Sequence, residues 1–217
     1  MFIGHFGVGF AAKKVTVKPS LGTFFLAAQF VDLLWPLLLL LGLERVKIDP
    51  GNTVVTPLEF VHYPISHSLL SGIIWGLIFG GIYYYVRRDR RAAVWLGLLV
   101  LSHWILDLVV HRPDLPLWPS SDPIYVGLGL WNSLIGTILV EGAIFFGGLF
   151  LYMRVTRARD RTGSYALWSL VVFLLLIYIS NIFGPPPPSA GMIAYAGFAQ
   201  WLIIAWGYWI DRHREVR

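Results

Sequence analysis

Long apolar segments dominate this 217-residue sequence and restrict its fold more than any other feature. Each is bounded by charged residues or proline and has roughly the 20 residues that a helix needs to cross a ~30 Å hydrocarbon core. Backbone polar groups in lipid must be satisfied within the segment, which favours helices. The sequence therefore predicts an all-α, polytopic membrane bundle with six spans, at Leu21 to Leu43, Pro64 to Val86, Ala92 to Val110, Ile124 to Met153, Tyr165 to Phe183 and Met192 to Ile210.

The segment before these spans is apolar but too short to cross a membrane. Met1 to Ala12 is followed by Lys13 and Lys14, so we expect a half-helix that dips into the protein or lies at the interface. With it, residues 1–217 are predicted to form a single integral membrane domain. The composition agrees, since 57% hydrophobic and only 13% charged residues exclude a water-soluble globule.

Basic residues are distributed between the loops as in an oriented membrane protein. Of the 17 Lys and Arg residues, 14 fall on loops predicted at one end and only three, Arg45, Lys47 and Arg112, at the other. The positive-inside rule then predicts a multi-pass membrane protein with both termini cytoplasmic. Orientation and contact with anionic membrane lipid account for the net charge of +5 without a nucleic-acid partner.

The second span carries a stripe of small residues. Ser68, Gly72, Gly76 and Gly80 recur every four residues, and such a stripe lets another helix approach closely. Packing within the chain is our first interpretation, and a homodimer face is the second.

Few ionisable residues lie within the spans, and each needs a reason because an unpaired charge in lipid is costly. They are Asp32, His67, His103, Asp107 and Glu141. Three carboxylates without an intramembrane Lys or Arg favour a bound cation. Because the chain has no cysteine, its metal ligands are limited to His, Asp and Glu.

Helical spacing predicts that most of these residues share one site. His103, Asp107 and His111 follow one another at intervals of four, which places them on one stripe of the third span. Counted from the basic ends at ~1.5 Å per residue, His103, Asp32, Glu141 and Asp107 lie at overlapping depths of about 18 to 24 Å.

Other residues are linked to this site by weaker arguments. His5 lies at about 12 Å and His67 at about 30 Å, so both need a tilt or a recessed helix start. Pro64 suits a first helical turn, which places His67 and Ser68 near free N–H groups that favour an anion such as phosphate. Trp35-Pro36 predicts a bend in the first span beside Asp32.

The outer rim offers one guanidinium. Arg112 follows His111 directly and can bind a phosphate at two points, although an interfacial anchor is an equally good interpretation. Arg112, Ser68 and His111 are therefore the predicted substrate-binding residues.

The order of these residues resembles a known family. His5-x-x-x-Gly9, an Asp in the first span, His62-Tyr63-Pro64-Ile65-Ser66-His67-Ser68 and His103-x-x-x-Asp107 follow in sequence. This is similar to bacterial membrane-bound metal-dependent hydrolases of the LexA-regulated inner-membrane type, which are themselves similar to zinc-dependent phospholipase C. The resemblance covers residues 1–120, and the family's His-Arg-x-x-Thr-His-Ser differs here at Tyr63 and Ser66.

The resemblance implies roles for individual residues. It implies that the metal ligands or their immediate partners are His5, Asp32, His67, His103 and Asp107. It also implies that His62 orients the site. Glu141 is included in the site only because its predicted depth in the membrane matches that of the other residues.

The leading hypothesis is a metal-dependent hydrolase that holds one or two divalent ions. Mixed His and carboxylate ligands favour Zn²⁺, with Mn²⁺ or Fe²⁺ as alternatives. A metal-activated water would attack a phosphoryl or acyl centre, and the uncoordinated carboxylate, Glu141 or Asp32, would be the general base. A site in the outer half of the bilayer predicts an amphiphilic substrate from the membrane, such as a phospholipid or an isoprenoid-phosphate ester.

Two other functions are compatible with the same residues. A small ion or proton transporter would use Asp32, Asp107 and Glu141 as its path. A scaffold would need the buried polar groups only to fix helix packing. The transporter requires polar residues that continue to both membrane faces, and few lie on the inner side of His103.

Overall fold

The computed structural model describes residues 1–120 and 122–217, which are mainly α-helical. Its helices are α1 (Ile3–Val15), α2 (Leu21–Ala28), α3 (Phe30–Leu40), α4 (Pro64–His67), α5 (Leu69–Arg87), α6 (Arg90–Val110), α7 (Leu134–Val155), α8 (Arg161–Phe183), α9 (Ala190–Phe198) and α10 (Gln200–Arg212). Three small antiparallel pairs join loops: β1 (Arg45–Ile48) with β2 (Leu58–His62), β3 (Leu115–Pro116) with β4 (Tyr125–Val126), and β5 (Thr156–Ala158) with β6 (Arg214–Val216).

The helices confirm the predicted membrane bundle. In the described part of the chain, α5, α6, α7, α8 and the α9–α10 pair are long and apolar enough to cross a bilayer. The bent pair α2–α3 makes a sixth span if it is counted as one. The 13 residues of α1 form the predicted short helix.

The first span is broken at a place that the sequence does not predict. The helix ends at Ala28 and restarts at Phe30, and the two parts meet at 52°. Pro36 lies inside α3, and the bend at Trp35-Pro36 stays a prediction. The break lies at Gln29, where the backbone (φ −104°, ψ 9°) leaves the helical conformation.

Two other spans begin later than predicted. The second starts as the separate turn α4, because Ser68 is extended before α5 begins. The fourth begins at Leu134 rather than Ile124, because Tyr125–Val126 pair with β3 and Ser133 is extended just before α7. Residues 124–133 instead cross the outer end of α6, where the Gly129 N–H donates to the His111 carbonyl at 2.7 Å.

The basic loops gather at one end of the bundle. Lys13 pairs with Asp211 at 2.8 Å and Lys18 with Asp89 at 2.9 Å, while β5 and β6 join the α7–α8 connection to the residues after α10. These contacts confirm that the predicted inner loops share an end. The side of the membrane that this end faces stays a prediction.

The small-residue stripe packs within the chain. A Cβ added to Gly76 would lie 2.6 Å from the Gly97 carbonyl oxygen, and one added to Gly80 would lie 2.7 Å from that of Ala93. α5 and α6 are therefore in backbone contact, which confirms the first interpretation. A homodimer through another surface stays a prediction.

The short helix α1 enters the bundle. Phe6 and Phe10 are fully buried and pack edge-on against Phe25, with ring centroids 5.2 and 4.9 Å apart. Gly7 lies against α7, where an added Cβ would be 2.6 Å from the Ile144 carbonyl oxygen. This packing brings His5 to the centre of the protein.

Candidate metal centre

Five polar side chains from α1, α3, α4 and α6 meet in the middle of the bundle, and we call them the central cluster. They are His5, Asp32, His67, His103 and Asp107. All are at most 5% exposed except Asp32, whose side chain is 24% exposed. Two overlapping trios, His5–His103–Asp107 and Asp32–His67–His103, each place their potential ligand atoms within 4.8 Å of one another.

The spacing within the cluster suits a small cation. His103 Nε2 lies 3.2 Å from Asp107 Oδ2 and 3.6 Å from Asp32 Oδ1. His67 Nε2 lies 3.3 Å from Asp32 Oδ1 and 3.9 Å from Asp107 Oδ2. Bonds of ~2.0 Å in tetrahedral geometry separate ligand atoms by about 3.3 Å. These residues therefore fit a divalent metal, and their role as ligands stays a prediction.

The break in the first span orients His103. Ala28 ends α2, so its carbonyl oxygen lacks the next helical N–H and lies 2.8 Å from His103 Nδ1. A carbonyl only accepts hydrogen bonds, so Nδ1 carries a proton and Nε2 faces the carboxylates. Nε2 is buried and has no hydrogen-bond partner among the described residues. Metal-binding histidines are typically held in this way.

A buried carboxylate that the sequence analysis missed orients His67. The Ser66 hydroxyl donates to Glu44 Oε2 at 2.6 Å, and His67 Nδ1 lies 2.6 Å from the same hydroxyl oxygen. Because the Ser66 hydrogen is used by Glu44, His67 Nδ1–H must donate to Ser66, which leaves Nε2 free for the cluster. Glu44 is 1% exposed and also accepts the N–H groups of Ile65 and Ser66 at 2.8 Å.

The need for a carboxylate near Ser66 could have been predicted from the sequence. A helix that starts at Pro64 leaves N–H groups at Ile65 and Ser66 that need an acceptor. The position of Glu44 directly after the last apolar residue of the predicted first span instead indicates an outer loop.

His5 occupies a separate position from His103. The two rings stack with centroids 3.6 Å apart and planes inclined by 4°. The lone pair of an imidazole nitrogen lies in the plane of its ring. An ion in the plane of one of these stacked rings therefore lies far outside the plane of the other ring. His5 and His103 thus cannot both bind the same ion. His5 Nε2 instead faces Asp107 Oδ1 at 3.1 Å, and the Met1 amino group lies 2.5 Å from that oxygen.

Glu141 is joined to the cluster through α1. Its Oε2 accepts the backbone N–H groups of Phe2 at 2.8 Å and Gly4 at 3.3 Å. A carboxylate at the N-terminus of α1 satisfies free donors and complements the helix dipole. Glu141 therefore anchors the helix that carries His5, and its predicted role as a base stays a prediction.

A cavity of about 960 Å³ opens from the cluster. Asp32, His67, Asp107 and Glu141 line its polar end, and residues 50–58 of the β1–β2 connection cover its outer side. Its other wall comes from α8, α9 and α10 and includes Phe173, Ile177, Met192, Leu202 and Ile203. Because Met192 is 52% exposed and Leu202 72% exposed, this apolar wall is continuous with the surface that faces lipid.

Comparison with known proteins identifies the family. Residues 3–184 match the family model described as YdjM inner membrane protein. The chain belongs to the YdjM inner membrane protein family. The match includes the whole central cluster and supports the prediction of a multi-pass inner-membrane protein. No curated protein and no solved structure matches the chain.

The predicted substrate-binding residues are only partly on the cavity of this family member. His111 lines the cavity, whereas Ser68 is buried at the start of α5 and accepts the Ser71 N–H at 3.1 Å. Arg112 is 38% exposed and lies 3.2 Å from Asp114 and 3.8 Å from Glu59. Neither Ser68 nor Arg112 is on the cavity wall.

His62 also lies apart from the cluster. It ends β2 opposite Arg45, and no side-chain hydrogen bond in the described ranges involves it. In this structure Ser66, itself bonded to Glu44, contacts His67 directly, and an orienting role for His62 stays a prediction.

Burial shifts the pKa of two groups at the outer end of α6, His111 and its neighbour Tyr63. Burial lowers the pKa of His111, although the Asp114 carboxylate 2.9 Å away opposes the shift. Burial, followed by the charge of Asp114, raises the pKa of Tyr63 well above its usual range. Tyr63 therefore brings no charge to the motif position where the resembling family has Arg.

Proposed function

We propose that this YdjM-family protein is a membrane-embedded, metal-dependent hydrolase of lipid-like esters or phosphoesters. One observation carries the proposal: two oriented imidazoles, the buried carboxylate of Asp107 and the partly exposed carboxylate of Asp32 converge at the polar end of a cavity whose far wall is apolar and exposed. Burying this many ionisable groups is costly even when they are paired, and a bound divalent ion would offset that cost.

Asp32, His67, His103 and Asp107 would hold the ion. Mixed nitrogen and oxygen donors favour Zn²⁺, and Mn²⁺ or Fe²⁺ suit the same residues. A divalent metal supplies a Lewis acid and lowers the pKa of water toward neutrality.

The chain's own residues orient the metal ligands and accept a proton. Ala28 and the Ser66–Glu44 pair hold the two imidazoles by Nδ1. Glu141 lines the cavity without belonging to either ligand trio, and two N–H groups fix its Oε2. We assign Glu141 as the proton acceptor of the hydrolytic step.

The substrate would enter from the side. An acyl or isoprenoid chain can lie along Phe173, Ile177 and Leu202, whose surface is continuous with lipid, while its polar end reaches the cluster. With the basic end in the cytoplasm, as the positive-inside rule predicts, the cavity opens toward the outer leaflet.

Packing on the other side of the cluster favours a hydrolase over a transporter. Phe24, Ala27, Leu96, Leu99 and Val100 form a buried apolar layer between His103 and the basic end. A transport path would need polar groups in this layer.

The test is elemental analysis of detergent-purified protein. We expect a stoichiometric divalent metal in the wild type and none in a His103→Ala, Asp107→Ala double variant. The matched control is the His213→Ala, Asp160→Ala variant, which removes another His–Asp pair (2.8 Å) far from the cluster. Metal-loaded protein should then hydrolyse phospholipid or ester-lipid vesicles. Absence of metal from the wild type, even after addition of Zn²⁺ or Mn²⁺, would refute the proposal.

A further inference from the structure

Three polar groups on the cavity wall have no hydrogen-bond partner in the described part of the protein. They are Trp35 Nε1–H, the Tyr178 hydroxyl and Gln200 Oε1. Trp35 is 8% exposed and Tyr178 7% exposed. Buried polar groups in native proteins are almost always paired, and each exception requires an explanation. A ligand that fills the cavity would explain all three.

Their positions surround the path from lipid to the central cluster. Trp35 follows Asp32 by three residues on α3, and its ring centroid lies 6.1 Å from that of His67. Tyr178 lies on α8 and Gln200 begins α10. The three groups thus come from three separate helices and meet only at the cavity.

Their chemistry indicates the kind of ligand. Trp35 and Tyr178 offer neutral N–H and O–H donors, which pair with acceptor oxygens, while Gln200 Oε1 accepts a hydrogen. No Lys or Arg lines the cavity in residues 1–120 and 122–217. Recognition there relies on neutral hydrogen bonds rather than on a basic anion-binding pocket.

We propose that Trp35, Tyr178 and Gln200 bind the polar end of a glycerol-based lipid ester, with the two donors on its ester oxygens and Gln200 Oε1 accepting from a hydroxyl group of that polar end. This inference rests on the proposed function and assigns substrate contacts that lie outside the metal ligands. The acceptor oxygens belong either to the phosphodiester or to the carboxyl esters, and the lipids used in the test separate these two sources.

A Tyr178→Phe variant should affect binding and stability in opposite ways. The substitution leaves no protein group without a partner, so the Tm of the lipid-free protein should stay the same or rise. Lipid binding should weaken about five- to tenfold, the usual effect of losing one hydrogen bond. Trp35→Phe should likewise weaken binding.

Tyr152→Phe is the matched control. The Tyr152 hydroxyl donates to Asp211 Oδ1 at 2.7 Å, at the basic end and away from the cavity. Its loss leaves a buried carboxylate short of a donor, so Tm should fall while lipid binding stays at the wild-type value.

The experiment is native mass spectrometry of metal-loaded protein titrated with dioleoyl phosphatidylglycerol, its diether analogue and dioleoylglycerol. If the wild type prefers the diester to the diether and Tyr178→Phe loses that preference, the contact is to a carboxyl ester. If it prefers the phospholipid to dioleoylglycerol and the variant loses that preference, the contact is to the phosphodiester. Either result supports the inference.

Other outcomes overturn it. Wild-type protein that binds none of the three lipids, or a Tyr178→Phe variant that binds them as the wild type does, would show that these groups do not hold lipid. A Tm loss in Tyr178→Phe equal to that of Tyr152→Phe would show a structural hydroxyl. Metal content measured on the same samples reports separately on the proposed metal centre.

Discussion

The two parts of this bundle differ in where they carry charge. α1 to α6 contribute the whole central cluster and its buried partner Glu44, whereas residues 162–210, which include most of α8 and nearly all of α9 and α10, contain no Asp, Glu, His, Lys or Arg. The α9–α10 span is also less enclosed than α6, which carries His103 and Asp107, with 22% and 44% of their apolar stretches buried.

The charged part of the bundle therefore provides the candidate metal centre, and the apolar part provides the route to it from lipid. The charged part is held by hydrogen bonds to buried partners, which fix ligand geometry, and the apolar part forms the cavity wall that meets lipid. The family match ends at residue 184, close to the end of α8, so the centre lies within the matched region and α9 and α10 lie beyond it. If this division is correct, substitutions in the two parts affect different measurements.

The largest effect is expected at Asp107. Asp107→Asn keeps the size of the side chain and removes a charge that faces His5, His67 and His103. We expect metal affinity to fall more than about 100-fold, beyond the 10- to 100-fold typical of an outer partner. Competition with a fluorescent Zn²⁺ chelator measures it, with Asp114→Asn as the control. Tight binding retained in Asp107→Asn would remove Asp107 from the ligand set.

A smaller effect is expected at the pair that orients His67. Ser66→Ala and Glu44→Gln should each lower metal affinity about 10- to 100-fold, because the His67 tautomer is no longer fixed. The same titration measures the change, and Glu59→Gln tests a carboxylate of the same strand pair that is not joined to His67. Wild-type affinity in both Ser66→Ala and Glu44→Gln would show that His67 does not bind the metal.

His5→Ala should reduce affinity by about tenfold and leave the metal count unchanged. The stacked rings prevent His5 from sharing the ion of His103, so we expect His5 to orient Asp107 as an outer partner. Elemental analysis gives the metal count. A decrease from two ions to one would instead mean that His5 holds an ion of its own.

The smallest effect on the metal centre is expected from the apolar wall. Leu202→Ala removes a lipid-exposed side chain that lines the cavity, so metal affinity should stay within about twofold of the wild type, because no ligand partner changes. Lipid binding, measured by native mass spectrometry, should weaken modestly through lost apolar contact. A large loss of metal in Leu202→Ala would contradict the division of the molecule into two parts.

The sequence predicted the features that follow from lipid as a solvent. Apolar length gave the six spans, basic loops gave the common end, and the cost of buried charge identified the residues that converge. Helical spacing also indicated the close contact at Gly76 and Gly80.

Features that depend on tertiary context could not be predicted in the same way. The bend at Gln29 is marked by no Pro or Gly in the sequence, and residues 124–133 lie across the outer end of α6 instead of extending the fourth span. Tyr178 and Trp35 resemble ordinary core aromatics until their polar atoms are seen without partners.

The contact between α1 and α7 also constrains evolution. Gly7 meets the backbone of α7 at Ile144, and a side chain on Gly148 would collide with the Gly7 carbonyl. Neither glycine can gain a side chain unless the two helices separate, and separation would move His5 away from Asp107. Both positions should therefore remain glycine in related sequences that keep His5. Selection on the metal centre should then conserve two residues that do not bind metal.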